Sequence, residues 1–212
     1  MSALNINDLI LLFFRKPEQT ISNPKLEKMR SALYVLRRDI FELFFASDGT
    51  ELKEVQTPIL STIAVMVGLD ILSQVYNKKF RKSNIRKLLK KTTSLEKSLI
   101  NALSFYRNAV CHNYTMQTEG LKKQKTGKLR HILIKIGLVK KEMQDYTYTL
   151  IEAKASDPIR SQSDGSYVIY PRELYNLFNN IIDKVEQEVN NNPNAYKQVL
   201  EKFRMYTFSK KT

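Results

Sequence analysis

A mainly α protein, an up-and-down helical bundle with a small β-hairpin inserted before its C-terminal helices, is the fold the 212-residue sequence predicts. Three observations predict it. Only six glycines and six prolines occur, too few for the turns of a many-stranded fold, whereas good helix formers abound. Apolar residues recur at spacings of three and four along several long stretches. The one region rich in β-branched and aromatic residues, 129–152, lies between helical patterns. The length suits a single domain over 1–212, with its bundle formed by about 23–115 and 171–207 and a basic loop and hairpin at about 116–170.

Residues 5–15 read as a short amphipathic helix ended before Pro17. The stretch lacks a basic leader and a small-residue cleavage site, so it is not expected to be a signal peptide. Asn23 as N-cap and Pro24 at the first helical position start a second helix, expected to run to about Ser47 with Met29, Ala32, Leu33, Leu36, Ile40, Leu43 and Phe44 as its apolar stripe. Thr57-Pro58 starts a third, to about Phe80. It contains the most hydrophobic stretch of the chain, but Ser61, Thr62, Asp70, Ser73 and Gln74 interrupt it, so a buried bundle helix is expected and not a membrane span. Thr93-Ser94-Leu95-Glu96 has the pattern of a capping box and opens a fourth helix. At 100° per residue, Leu95, Leu99, Ala102, Leu103, Tyr106, Ala109 and Val110 fall on one arc about 120° wide, the expected core face, with Arg107, Asn108, Cys111 and His112 opposite.

Beyond Thr115 a basic stretch to Lys128 has no clear period and reads as a loop. Residues 129–136 and 146–152 are expected to pair as the hairpin. Ser156 to Ser166 reads as a polar loop with a turn at Asp164-Gly165, and Tyr167 to Tyr170 as a short strand. Pro171 begins a further helix, striped by Leu174, Leu177, Phe178, Ile181, Ile182 and Val185, and a final short helix follows Asn192-Pro193.

The charge is localised. Sixteen of the 35 Lys and Arg residues fall in two acid-free segments, 78–91 and 120–141, out of a net charge of +14. The first holds Lys78, Lys79, Arg81, Lys82, Arg86, Lys87, Lys90 and Lys91. The second includes Lys122, Lys123, Lys125, Lys128 and Arg130. Together they bracket the fourth helix, a field suited to a polyanion such as RNA. Cys111 is the only cysteine, which excludes an intrachain disulfide and a Cys/His zinc cluster and fits a reducing, cytoplasmic setting. No metal and no cofactor is expected.

Residues 107–114, Arg-Asn-Ala-Val-Cys-His-Asn-Tyr, concentrate the chemistry. A guanidinium stays charged and donates along a fork that matches two phosphate oxygens, which suits Arg107 to hold a phosphate. Imidazole exchanges a proton near neutral pH, which suits His112 as general acid or base. Asn108 lies one helical turn before His112 and is placed to orient its ring. His131, the other histidine, sits among basic residues where a phosphate contact or surface exposure is the expectation.

With Arg107, Asn108, His112 and Tyr114 in this order, the octapeptide resembles the R-x4-6-H motif of the HEPN superfamily, in the H-x-Y form of its ribonuclease toxins. The resemblance covers about 23–115 and, more weakly, the helix from Pro171. It implies a metal-independent endoribonuclease acting as a toxin or antiviral, abortive-infection effector, with Arg107, His112 and Asn108 in the site. It also implies a composite site across a homodimer, and a tyrosine at 114 that supports the site or is modified by a nucleotidyltransferase antitoxin. The Ile100 and Phe105 side of the motif helix is the expected dimer surface. The competing reading is a non-catalytic HEPN-like module that binds RNA or a nucleotide, or neutralises a partner.

Overall fold

The computed structural model describes residues 4–46, 49–50, 58–113, 117–120, 130–136, 158–161, 163 and 167–203, with backbone alone at 25, 58, 109–113, 117–120 and 130–136. Within these residues the protein is mainly α-helical, with a small sheet inserted before the C-terminal helices. The helices are α1 (Ile6–Phe14), α2 (Pro24–Glu27), α3 (Ala32–Phe44), α4 (Pro58–Tyr76), α5 (Ile85–Thr92), α6 (Lys97–Asn113), α7 (Pro171–Asn191) and α8 (Lys197–Lys202). The strands are β1 (Gln117–Gly120), β2 (Arg130–Ile136), β3 (Ile159–Ser161) and β4 (Tyr167–Ile169).

Helix α4 is the centre of the bundle, packed against α3, α5, α6 and α7. Val65, Met66, Leu69, Leu72 and Val75 are fully buried, which explains a composition that would otherwise suit a bilayer. Among the described residues it is the one helix long and apolar enough to span a membrane, and half of the window Ile59–Tyr76 is buried within the protein. Gly68 lets α7 come close: a Cβ there would sit 2.5 Å from the Phe178 ring.

The single helix expected from Asn23 to Ser47 is two helices. Ser31 accepts the Tyr34 N–H at 2.8 Å as N-cap of α3 and donates to the Phe13 carbonyl at 3.1 Å. The hydroxyl thus starts a new helix and ties it to the end of α1. Met29, expected on the α3 stripe, joins Leu12, Ile21 and Leu26 in a small separate cluster. Ala32 is exposed, while Leu33, Ile40 and Phe44 reach the core.

Helix α5 falls in a segment read only as a charge run. Asn84 caps it by accepting from the Lys87 N–H at 3.0 Å, and Ile85, Leu88, Leu89 and Thr92 bury one face at helical spacing. Lys184 on α7 donates to the Thr92 carbonyl at 2.5 Å and so covers its C-terminus. The turn before α5 contains two left-handed residues, Lys78 (φ 57°) and Arg81 (φ 62°). Lys78 is the residue after α4 at which the chain reverses: its N–H reaches the Val75 carbonyl and the Lys79 N–H the Gln74 carbonyl, at 2.8 and 2.9 Å.

The Thr93 capping box does not form. Thr93 is the C-cap of α5, its hydroxyl donating to the Leu89 carbonyl at 2.7 Å, and α6 begins only at Lys97. The threonine serves the helix it ends in preference to the one it was expected to start.

The sheet order is β1-β2-β4-β3, with β1 antiparallel to β2, β2 parallel to β4 and β4 antiparallel to β3. The basic stretch read as an unbroken loop therefore contains a strand: Gln117 to Gly120 pairs with Leu133 to Arg130. Strand β3 likewise lies within the expected polar loop, buried at Ile159 and partnered by Ile169. The stretch 146–152, expected to pair with 129–136, and the turn at Asp164-Gly165 lie outside the described residues. Helices α7 and α8 match expectation, joined by a 3-10 turn at Pro193–Ala195.

Candidate functional site

The motif helix α6 is held by α4 and α5 on one side and by the sheet through β1 and β3. Ala102, Leu103 and Tyr106 are its buried face, and Tyr106 shares a 2.5 Å hydrogen bond with Thr62 of α4. Of the two apolar residues expected on the opposite, open face, Ile100 is not there. Ile100 is only 6% exposed and belongs to the main core, so it cannot serve as a dimer surface. Phe105 is half-buried, with the Arg86 guanidinium 5.1 Å from its ring centroid. Helix α6 is surrounded more completely than a two-sided amphipathic pattern implies, because α4, α5 and the sheet each claim part of its circumference.

Arg107 is likewise turned inward. Its Nη2 donates to Asp70 Oδ2 on α4 at 2.6 Å, with side-chain exposures of 21% and 19%. Its Nη1 donates to Asn108 Oδ1 at 3.0 Å. Asp70 in turn accepts from the Ser83 hydroxyl. Ser83 Oγ lies 2.8 Å from Ser73 Oγ, which accepts the Asn84 N–H at 3.1 Å. A chain of polar contacts thus runs from the cap of the basic helix α5 through the only charged residue of α4 to the motif arginine. Sequence reasoning did not assign Asp70 to the site. The signal was present, since Asp70 is the single charge in an otherwise uncharged 19-residue helix, and a charge in such a setting needs a partner.

Asn108 is exposed and joins the guanidinium to the outer side of the helix. His112 lies one turn further on, one residue before the end of α6; of it and Cys111 the backbone is described. His112 is five positions after Arg107, so the two Cα positions lie about 140° apart around the axis, whereas Asn108 and His112 lie on one side. Tyr114 is outside the described residues.

The first basic segment meets α6 directly. Arg86, Lys87, Lys90 and Lys91 on α5 are exposed, as are Lys78, Lys79, Arg81 and Lys82 on the turn before it. The Lys78 ammonium lies over the Tyr196 ring, 4.6 Å from its centroid. Of the second segment, Arg130 and His131 begin β2, with Gly120 and Glu119 as their Cα partners. Lys122, Lys123, Lys125 and Lys128 lie outside the described residues. Among the described residues no three His, Cys, Asp or Glu side chains gather as a metal site would require.

No family model matches the chain, and neither the curated proteins nor the solved structures contain a match to it. The likeness to the HEPN superfamily therefore rests on the residue types from Arg107 to Tyr114 and on a helical bundle in which residues 107–112 lie near the end of α6.

Proposed function

We propose that the protein is a metal-independent endoribonuclease, acting in the cytoplasm as a toxin or antiviral effector of HEPN type. The observation that carries this reading is the contact between α5 and α6. An acid-free cationic helix packs against the motif helix, with Arg86 over Phe105 and its cap joined through Ser83 and Asp70 to Arg107. RNA drawn to α5 arrives beside Arg107 and His112, which have the chemistry for phosphodiester cleavage. The 2′-hydroxyl of RNA supplies the nucleophile, Arg107 stabilises charge on the phosphate oxygens, and His112 transfers the proton. Asn108 links the two, holding the guanidinium by its carbonyl and lying one turn before the histidine.

One chain offers one histidine at the motif, while in-line cleavage uses both an acid and a base, so two copies of α6 in a homodimer complete the set. With Ile100 committed to the core, the surface that pairs is the outer side of α6 that carries Asn108 and His112. Modification of Tyr114 by a nucleotidyltransferase partner would add charge beside this site and oppose RNA binding.

The Arg107–Asp70 ion pair favours a second reading, a module that binds RNA without cutting it. A guanidinium already neutralised by a carboxylate at 2.6 Å offers less to a phosphate than one with no counterion.

Incubation of the purified protein and its His112→Ala variant with total RNA in EDTA, followed by end-group analysis, separates the two. Cleavage by the wild type alone, leaving 2′,3′-cyclic phosphate ends, is the expected result. Salt-sensitive RNA binding by both proteins with cleavage by neither would overturn the nuclease and leave the binding module.

A further inference from the structure

A cavity of about 190 Å³ opens between the loop after α1, α3 and α7, lined in part by Lys16, Glu18, Arg37, Phe41, Tyr175 and Asp183. None of the α6 motif residues lines it. Its residues divide along the groove. Tyr175 and Asp183 lie two helical turns apart on α7, and Phe41 and Arg37 lie one turn apart on α3, running the opposite way. Phe44 stacks on Tyr175 with ring centroids 4.6 Å apart, and Phe41 on Phe45 at 4.3 Å, so one end of the groove is a rigid aromatic wall. The other end carries Arg37 and Lys16 with Glu18 and Asp183.

The four lining charges balance, with Glu186 acting on Arg37 and Lys16 from beside the groove, yet among the described residues no ion pair joins any two of the four. Arg37 donates from Nη1 to the Phe14 carbonyl at 2.8 Å and is half-buried. Burial lowers its pKa, opposed by the charges of Glu18, Tyr175, Asp183 and Glu186. Opposite charges that line one end of a cavity without forming an ion pair, beside an aromatic wall, match a ligand with both charges at one end and an apolar body at the other. A set with no net positive charge gives no advantage to a phosphate or to any other net anion. The volume is below the roughly 300–1,000 Å³ of sites for drug-sized ligands, which limits the ligand to a small molecule.

We propose that this groove binds a free α-amino acid with a large apolar side chain, its carboxylate on Arg37 and Lys16, its ammonium on Asp183 and Glu18, and its side chain against Phe41 and Tyr175. Such a site would let the protein respond to the supply of an amino acid, independently of what its α6 motif does.

Calorimetric titration of the whole protein with L-phenylalanine and L-leucine tests this, using 3-phenylpropionate and phenethylamine as analogues that each lack one charge. Binding at millimolar concentration or tighter by at least one amino acid is expected, with each analogue weaker by about tenfold or more, equivalent to about 1.4 kcal/mol. Arg37→Met abolishes binding. Because Arg37 also holds the Phe14 carbonyl, the exposed Asp183→Asn is the second variant, expected to weaken the amino acid and leave 3-phenylpropionate unchanged. No heat from either amino acid, analogues that bind as well as L-phenylalanine, or an Asp183→Asn variant of unchanged affinity would each overturn the proposal.

Discussion

Asp70 and Arg107, 37 residues apart, meet at 2.6 Å between α4 and α6 with about four-fifths of each side chain covered. The carboxylate also accepts from Ser83, so the pair is a node linking α4, α6 and the turn before α5 and not a surface ornament. Replacing Asp70 by Asn keeps the shape and removes the charge, leaving a mostly buried guanidinium without its counterion. The variant is expected to lose about 1–3 kcal/mol in denaturant titration, less than the 3–5 typical of fully buried pairs. At the same time a phosphate no longer competes with the Asp70 carboxylate for Arg107. The slope of log affinity for single-stranded RNA against log salt should therefore steepen by roughly 0.7.

The cationic face of α5 makes a second expectation. Lys87, Lys90 and Lys91 are exposed, so changing them to Glu should leave the fold intact. Charge reversal there is expected to weaken RNA binding by at least about tenfold at low salt and to flatten the salt slope by roughly 0.7 for each phosphate that is no longer neutralised. A filter-binding series across salt concentrations reads both effects. An unchanged slope would mean that RNA approaches elsewhere.

Gly68 is a packing requirement. A methyl group at this position would meet Phe178, which is fully buried and belongs to the core between α4 and α7. Gly68→Ala improves helix propensity by about 1 kcal/mol, yet overpacking costs about 1–3 kcal/mol. The rigid aromatic ring puts this site at the upper end of that range. A net loss of about 1–2 kcal/mol is expected, visible as a Tm lower by roughly 2–8 °C.

Tyr196 sets an alkaline limit. Its phenol, buried and donating to Glu188 at 3.3 Å, is pushed up to about 12 by desolvation first and then by the Glu188 carboxylate. A group whose pKa is higher in the folded state stabilises it fully below the unfolded value near 10 and loses that contribution as pH rises through 12. Stability should thus fall between pH 10 and 12 by at most about 2–3 kcal/mol. Tyr196→Phe should lower stability at neutral pH and flatten the alkaline decline in a Tm series.

Glu186 predicts the opposite edge of the pH range. Desolvation raises its pKa, with Asp183 adding to the shift and Arg37 and Lys16 opposing it. The folded state therefore favours the protonated carboxyl, and stability is lost as pH rises from the unfolded value of 4.5 through the folded pKa. Glu186→Gln should melt higher than wild type at pH 7. The difference should close as pH falls below the unfolded value of 4.5, where both states become protonated.

Helical periodicity alone determined much of this molecule. Asn5, Pro24, Pro58 and Pro171 mark starts that the structure keeps, and the stripe from Leu174 to Val185 is buried at every position but Leu177, which is half-covered. These features are legible because caps and amphipathic stripes are local: a few neighbouring residues carry them. The octapeptide from Arg107 was legible as chemistry for the same reason, since the motif is a property of eight consecutive residues. What only the tertiary structure decided depends on contacts between distant residues. Ser31 divides one expected helix because Phe13 offers it a carbonyl 18 residues away. Thr93 ends α5 and does not open α6. Residues 117–120 become a strand because 130–133 supplies an edge. Arg107 faces inward because one carboxylate, isolated in the apolar helix α4, requires a cation, and no periodicity within α6 encodes that demand.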